Sequence, residues 1–223
     1  MPSKTKIIIT VGPKTHQRAI LSDIIDAGVS IFRLNFSHGT HAGHAQVVGM
    51  LRSLEKEKNT LITILADLQG PKIRIGEVVE GAVLQEGQPF ILDADATAGD
   101  SSRVCLPFPK IFTCIQEGEY ISLDDGRIRL KVLKVEDSRI ITEVLSGGAL
   151  NSRKGVSIPQ KLLPIKALTD KDYEDLKFIK NLEIDYVCLS FVQCAQDILL
   201  ARRFTTHPII AKIEKPAAIE NIE

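Results

Sequence analysis

The chain has 223 residues, with 28 Lys or Arg balanced by 28 Asp or Glu, a length that allows one large or two small domains. This zero net charge does not indicate binding to nucleic acid or to an anionic membrane surface. No apolar run approaches the roughly 20 residues of a membrane-spanning helix, and the start, MPSKTK, has no apolar core of a secretion signal.

The first 70 residues alternate between predicted strands and helices. TKIIITVG is a β-rich run closed by Gly12-Pro13, and THQRAILSDIIDAG has apolar residues at helical spacing and stops at Gly28. VSIFRLNF then predicts a second strand, HAGHAQVVGMLRSLEKEK an amphipathic helix, and LITILADL a third strand that is too apolar to face water. The order β-α-β-α-β predicts a parallel sheet covered by helices.

The pattern changes between about residues 71 and 164, where we expect no helix longer than a turn. The short alternating runs IRIGEVV, QPFILDA, EYISLDDGRIRLKVLKV and SRIITEVL predict strands. Asp125-Gly126, between two such runs, is a strong hairpin signal. The segment is therefore predicted to be an all-β insert of about 90 residues.

The βα pattern resumes with LTDKDYEDLKFIKNL, a helix for which Thr169 and Asp172 form a plausible cap. Strand DYVCLSF, helix AQDILLARRFTT and strand PIIAKIE follow. Five strands of the βα type are thus predicted, with the insert after the third. A closed (β/α)8 barrel needs eight, so the pattern fits either an open sheet or the front portion of a longer barrel protein.

Polar and charged residues stand at the ends of three predicted strands. Alternation places three residues of the second strand on one face, and the third and fifth strands also end in charged side chains. In parallel α/β architectures ligands bind at the carboxyl ends of the strands, so we expect these groups to share one rim. The candidates are Arg33, Asn35, Ser37, Asp67, Lys212 and Glu214.

The residue types indicate the chemistry of this rim. The amide, hydroxyl and carboxylate oxygens of the second and third strands are hard donors suited to a cation, and Glu214 suits Mg²⁺. Arg33 offers a planar fork for a phosphate or carboxylate, and Lys212 offers a point charge against developing negative charge. A divalent metal, an anion clamp and a cation together indicate phosphoryl transfer.

Six segments resemble, in order, the signatures of the pyruvate kinase family: TKIIITVGP, RLNFSHGTHAGH, ADLQGPKIR, LDDGRIRLKV, NSRKGVSIP and IIAKIEK. The resemblance spans nearly the whole chain. It implies an α/β fold, a (β/α)8 TIM-type barrel of which only the first five strands are present, with an inserted all-β lid domain. The implied domains are barrel domain A at 1–70, lid domain B at 71–163 and the incomplete continuation of the barrel at 164–223.

The resemblance also implies an activity, the transfer of a phosphoryl group from phosphoenolpyruvate to ADP, giving pyruvate and ATP. Lys212 resembles the catalytic lysine, Arg33 the arginine that contacts phosphate, and Glu214 a ligand of Mg²⁺ (or Mn²⁺). The remaining matches are Asn35, Ser37, Asp67 and the carbonyl of Leu68 at the monovalent-cation site, and His38, Arg74 and Lys154 at the nucleotide.

Lys72 departs from many family members, which have glutamate at this position and require K⁺. Lysine here resembles the K⁺-independent branch. An ammonium group near Asp67 could supply the positive charge that a bound ion would provide. We therefore expect a K⁺ site of the family type but no requirement for K⁺.

The family's next signature, an ARGDLG-like segment with the second Mg²⁺-binding carboxylate, does not occur before Glu223. We therefore expect the N-terminal portion of a homotetrameric enzyme, inactive by itself. The four cysteines show no C-x-x-C spacing, and because no export signal is recognised we expect reduced thiols and a cytoplasmic location. Neither nucleic acid nor membrane is an expected partner. Two alternatives remain open: a lyase on a phosphoenolpyruvate/pyruvate-type barrel, and a non-catalytic fragment that only binds nucleotide or a partner.

Overall fold

A computed structural model describes residues 5–158 and 165–222. Contacts between Cα atoms divide it into two compact units. The parallel-sheet unit comprises residues up to 71, 166–214 and the last residues from 221, and the β-rich unit comprises 72–165 and 215–220. The predicted boundary at 163/164 and the end at Glu223 lie outside the described residues.

The elements follow one another in this order: β1 (Ile8–Val11), α1 (Arg18–Asp26), β2 (Ile31–Asn35), α2 (His41–Glu57), β3 (Thr63–Asp67), β4 (Val83–Leu84), β5 (Pro89–Asp93), β6 (Arg103–Cys105), α3 (Pro109–Cys114), β7 (Tyr120–Leu123), β8 (Ile128–Glu136), β9 (Arg139–Ser146), β10 (Gly148–Ala149), β11 (Val156–Ser157), α4 (Asp170–Ile179), β12 (Tyr186–Leu189), α5 (Ala195–Ala201), β13 (Ile209–Ala211) and α6 (Pro216–Glu220).

The parallel-sheet unit is built on five strands in the order β1-β2-β3-β12-β13, all parallel. The carboxyl ends of these strands therefore lie along one edge of the sheet. Between β3 and β12 the chain passes through the whole β-rich unit before the βα pattern resumes with α4. Because parallel neighbours require a crossover connection, the helices between the strands cover the sheet.

Local sequence signals set the helix ends. Gly28 follows α1 with a φ of +93°, and its N–H donates to Ile25 O, as expected of a left-handed residue after a helix. The Thr40 hydroxyl accepts from Gly43 N at the start of α2. Thr169 and Asp172 form the predicted capping box of α4, with both reciprocal hydrogen bonds present.

The core of the parallel-sheet unit is the apolar layer between strands and helices. Helix α2 turns a stripe at helical spacing toward the sheet, with Val47, Val48, Leu51 and Leu54 buried. Strands β2 and β3 supply side chains that are fully or almost fully buried, among them Phe32, Leu34, Ile64 and Ala66. Within the described residues no helix is long and apolar enough to cross a bilayer.

The β-rich unit has a six-stranded sheet in the order β11-β7-β8-β9-β5-β6, a two-stranded sheet of β10 and β4, and its own apolar core. The predicted hairpin joins β7 and β8, which pair Leu123 with Ile128. Its turn holds Asp124, Asp125 and Gly126 in the left-handed region, at φ of +50°, +55° and +90°. Asp and Gly are among the residues that tolerate this conformation best.

Two predictions for this segment were wrong. The segment contains a helix, α3. Pro109 lies in the first turn of this helix, where proline is favoured, and the buried side chains of Ile111 and Phe112 form its inner face. IRIGEVV is not a continuous strand: it makes only isolated bridges at Arg74 and Val78. At Gly76 the backbone passes so close to Cys105 that a Cβ would lie 2.9 Å from its Cβ.

Strand β13 is shorter and more exposed than predicted. Among the described strands it is hydrogen-bonded only to β12, and Ile210 and Ala211 are exposed. The last ladder bond runs from Lys212 N to Leu189 O, 3.0 Å. Lys212 and Glu214 thus lie beyond the strand, and Ser37 lies beyond β2, so strict strand alternation does not apply to any of these three.

Candidate active site

Asp67 is the buried centre of the candidate site. It ends β3, the middle strand of the sheet, where it pairs in register with Asn35 of β2 and with Cys188 of β12. The residue is 1% exposed. A carboxylate in such a place needs partners that offset the loss of water, and two cationic side chains supply them.

Arg33 approaches the Asp67 carboxylate from the neighbouring strand β2, and Lys212 approaches it from the segment after β13. Arg33 Nε donates to Asp67 Oδ2 over 2.6 Å, and its Nη1 donates to Thr10 Oγ1 over 2.9 Å. Lys212 Nζ lies 2.9 Å from Asp67 Oδ1 and 3.1 Å from Oδ2. Both cationic side chains are partly exposed, so each can still meet an anion from solvent.

Glu214 lies beside Lys212, with its Oε1 3.8 Å from Lys212 Nζ. Its Oε2 accepts a hydrogen bond from Phe191 N over 2.9 Å. Phe191 holds a φ of +57°, which is uncommon for an aromatic residue, and this conformation accompanies the donation of its N–H to the carboxylate. Glu214 is more exposed than Asp67 and keeps lone pairs available for a cation.

Charge at this rim is balanced. The Arg33 and Lys212 cations face the Asp67 and Glu214 carboxylates, so the group sums to zero. A divalent cation on Glu214 would raise the sum to +2 and favour a phosphorylated anion. Hard carboxylate oxygen is the donor that Mg²⁺ prefers. No cluster of three or more His, Cys, Asp or Glu with metal-site geometry exists within residues 5–158 and 165–222, so Glu214 would share the ion with substrate oxygens.

Sequence reasoning missed Ser190. This buried residue follows β12, and its hydroxyl donates to Leu68 O over 2.6 Å and lies 3.5 Å from Asp67 Oδ1. Its position in the sequence could have identified it, because Ser190 lies at the carboxyl end of a predicted strand, as the chosen candidates do. Thr10, near the end of β1, was also missed, because hydroxyl residues at strand ends are common and only its contact with Arg33 distinguishes it.

The oxygens predicted to form a monovalent-cation site already have partners. Asn35 Oδ1 accepts from Ser37 N over 3.1 Å, and Leu68 O accepts from Ser190. Asp67 is neutralised by two cationic side chains. These oxygens are hard donors of the type that binds K⁺. The negative charge of Asp67, however, is already balanced by Arg33 and Lys212, so K⁺ is not needed to balance it.

A cavity of about 700 Å³ opens beside the carboxyl ends of β1 and β2. Its lining includes Pro13, Asn35, His38, Thr40 and Val47. His38 is exposed. Because Asn35 pairs in register with Asp67, the cavity adjoins the charged rim described above.

The other predicted nucleotide residues belong to the β-rich unit. Arg74 Nη1 donates to Arg153 O over 2.8 Å. Lys154 Nζ lies 2.9 Å from Asp124 Oδ1, and this ion pair lowers the pKa of Asp124. The Lys72 side chain runs past Gly155, where an added Cβ would lie 3.0 Å from Lys72 Cε. These basic side chains therefore gather around the segment 153–155.

Two titratable groups near the rim are shifted by their surroundings. Burial raises the pKa of the Cys188 thiol to about 11, and the nearby Asp67 charge adds to this effect. Burial lowers the pKa of His44, and this outweighs the opposing effect of the His38 carbonyl, 3.0 Å from its Nε2. Both groups are therefore expected to be uncharged at neutral pH.

Comparison with known proteins gives consistent matches. A family model described as the barrel domain of pyruvate kinase matches residues 2–223. A pyruvate kinase from Agrobacterium vitis is 45% identical over 99% of this chain and 46% of its own length. Pyruvate kinase 2 from Synechocystis sp. is 39% identical over 100% of this chain and 39% of its own length. The crystal structure of a pyruvate kinase from Cryptosporidium parvum matches with a TM-score of 0.90 and 30% identity, over 98% of this chain and 48% of that one. The chain thus spans less than half the length of these relatives.

Proposed function

Because the chain belongs to the pyruvate kinase family, we propose that its protein transfers the phosphoryl group of phosphoenolpyruvate to ADP, giving pyruvate and ATP. The chain would be the N-terminal portion of a (β/α)8 barrel enzyme with a lid at 71–163, homotetrameric and cytoplasmic. One observation carries the proposal: Arg33, Asp67, Lys212 and Glu214 meet at the carboxyl edge of one parallel sheet.

Each of these residues has a role that its contacts support. Asp67 and Thr10 hold the Arg33 guanidinium, so that its fork can bind the substrate phosphate without reorganising. Lys212 offsets the negative charge that develops on the transferring phosphoryl group and on the enolate oxygen of the leaving pyruvate. Glu214 would hold Mg²⁺ (or Mn²⁺), which supplies further positive charge to the phosphate oxygens.

The nucleotide side of the site is also a proposal. The cavity beside His38 has mostly apolar walls and a volume that suits part of ADP. Arg74 and Lys154 would contact the phosphates of ADP, as the family resemblance implies. Within the β-rich unit, Arg74 donates to the carbonyl of Arg153, the residue before Lys154, and this proximity supports a shared role.

We propose that this enzyme works without added K⁺. Lys72 would replace the cation, and the neutralisation of Asp67 by Arg33 and Lys212 supports a reduced need for one. Steady-state rates in Na⁺ and in K⁺ should agree within about twofold, whereas Lys72→Glu should make the rate K⁺-dependent, because a carboxylate adds negative charge. A manyfold rise of the wild-type rate in K⁺ would refute the idea.

The activity is tested in the full-length protein by following pyruvate formation from phosphoenolpyruvate. Formation should require both ADP and Mg²⁺. Lys212→Gln should lower kcat by about 10²–10³-fold, the usual range for loss of one electrostatic stabiliser. Lys177→Gln, an exposed lysine on α4, is the matched control and should leave kcat unchanged.

Two results would contradict the proposal. Pyruvate release without ADP would indicate a lyase. Binding of ADP without turnover would indicate a non-catalytic role.

A further inference from the structure

The turn that follows β2, residues 36–40, contains Ser37 and His38 and is hydrogen-bonded to the ends of β2 and β3. Phe36 N donates to Asp67 O over 2.9 Å, and His38 N donates to Asn35 O over 3.2 Å. Three residues of this turn, His38, Gly39 and Thr40, also line the cavity. The position of the turn therefore sets both the neighbourhood of Asp67 and one wall of the cavity.

Lys171, in the first turn of α4, holds the outer side of this turn. Its Nζ donates to Phe36 O over 2.7 Å and to Asp175 Oδ2 over 2.6 Å. Asp175 is 1% exposed, and its other oxygen lies 2.7 Å from His41 Nε2. The His41 ring in turn stacks on Phe178, with centroids 4.2 Å apart and planes at 4°. A buried carboxylate that is itself fixed thus aims the Lys171 ammonium at one carbonyl.

The next residue along α4 holds the neighbouring loop. Asp172 is fully buried, and its Oδ1 accepts from Gly70 N, three residues after Asp67, over 3.1 Å. Gly70 has a φ of +66°, and an added Cβ would lie 2.9 Å from Ser190 Cβ, so this loop is tightly fitted. One helical turn therefore anchors the loops after β2 and β3 together.

We propose that Lys171 is a positioning residue, which keeps the turn 36–40 in the arrangement that the nucleotide site needs. This inference rests on the proposed function. The ammonium neutralises Asp175 and donates a further hydrogen bond to Phe36 O, so two acceptors on buried residues hold a side chain that is 45% exposed. Without it, the carbonyl loses its charged donor and the turn gains freedom on the side away from Asp67.

The first test uses the ligand-free chain and hydrogen exchange of individual amides. Lys171→Met keeps an apolar stem of similar length, and because the side chain is 45% exposed, its change leaves no buried cavity. The Phe36 and His38 amides should exchange about tenfold faster, while amides of β3 keep their rates. Lys171→Arg should restore slow exchange, and Lys177→Met, on the same helix, should change nothing.

Unchanged exchange at Phe36 and His38 would overturn the proposal, and so would a uniform acceleration of all amides, which would indicate general destabilisation. Should Lys171→Met fail to fold, Lys171→Gln serves in its place with the same expected pattern.

The second test separates positioning from stability in the full-length protein. Lys171→Met should raise KM for ADP several-fold, with kcat and KM for phosphoenolpyruvate changed less than about twofold, because the displaced wall faces the cavity. Lys171→Arg should return KM toward the wild-type value. A fall in kcat with unchanged KM would overturn the proposal, since it would report only a smaller folded fraction. A wild-type protein without ADP-dependent pyruvate formation would refute the proposed function, and the exchange test would still decide how the turn is held.

Discussion

The Asp67 carboxylate and its two cations illustrate how single residues gain their properties from neighbours distant in sequence. Asp67 is separated from Arg33 by 34 positions and from Lys212 by 145. The sequence identified all three as strand-end residues of suitable chemistry. It did not identify Ser190 or Thr10, because hydroxyl residues at strand ends are common and only their contacts distinguish them.

His44 should be neutral and carry its proton on Nε2, since a carbonyl can only accept. Its pKa is lowered below the ordinary 6.5 by burial, so the unfolded chain binds a proton more readily than the folded chain. The contribution of His44 to stability is therefore present above pH 6.5 and is lost as the pH falls through the lower, folded-state pKa. Titration of the His44 Cε1–H signal by NMR should give a midpoint below 6.5; a midpoint above it would contradict this assignment.

Cys188 should resist alkylation in the folded chain. Burial beside Asp67 raises its pKa to about 11, so at pH 8 its thiolate fraction is about two orders of magnitude below that of an ordinary cysteine. Peptide mapping after iodoacetamide treatment should find Cys188 unmodified in the native chain and modified in urea. Equal labelling in both states would disprove the expected burial.

Helix α4 is the element whose local sequence and tertiary role agree most closely. Its cap was predicted from Thr169 and Asp172 alone, and the structure confirms it. The contacts of the same turn with Phe36 and Gly70 were not predictable, because they join residues more than 100 positions apart. Helix α3 was missed because the short alternating runs of this segment predicted strands alone, although proline in the first turn favours a helix.

Thr169→Ala tests how much the α4 cap contributes. The change removes the hydroxyl that accepts from Asp172 N and donates to Asp172 Oδ2. The free energy of unfolding should fall by about 1 kcal/mol, as for other N-cap threonines. Urea denaturation measures this, with the exposed Thr206→Ala as the control that should lie within about 0.5 kcal/mol of wild type. No loss in Thr169→Ala would show that tertiary contacts hold the helix start unaided.

At the scale of the whole molecule, the parallel sheet has two open edges. Strands β1 and β13 each have one hydrogen-bonded neighbour within the described chain, and Ile8 and Ile210 are exposed beside them. Unpaired edges with apolar side chains promote association with further strands. The β-rich unit, by contrast, has a core of its own between its two sheets and α3.

The 223-residue chain alone should not catalyse the proposed reaction. Glu214 is the one proposed Mg²⁺ ligand among the described residues, and the second Mg²⁺-binding carboxylate that the family resemblance implies does not occur before Glu223. Calorimetry with phosphoenolpyruvate and Mg²⁺ should therefore detect weak binding or none, and no pyruvate should form with ADP. Turnover by the isolated chain would contradict this expectation and place all essential groups within these residues.

The sequence by itself determined the alternation of strands and helices, the caps of α1 and α4, the β7–β8 hairpin and the family of the chain, because each depends on neighbouring residues or on motifs read in order. Only the tertiary structure decided that Arg33 and Lys212 share one carboxylate, that Ser190 binds the Leu68 carbonyl, that Lys212 and Glu214 lie past their strand, and that Lys171 reaches Phe36. These depend on sheet order and on where the edge strand's hydrogen bonds end. Such long-range pairings are set by packing of the whole unit, which no local pattern encodes.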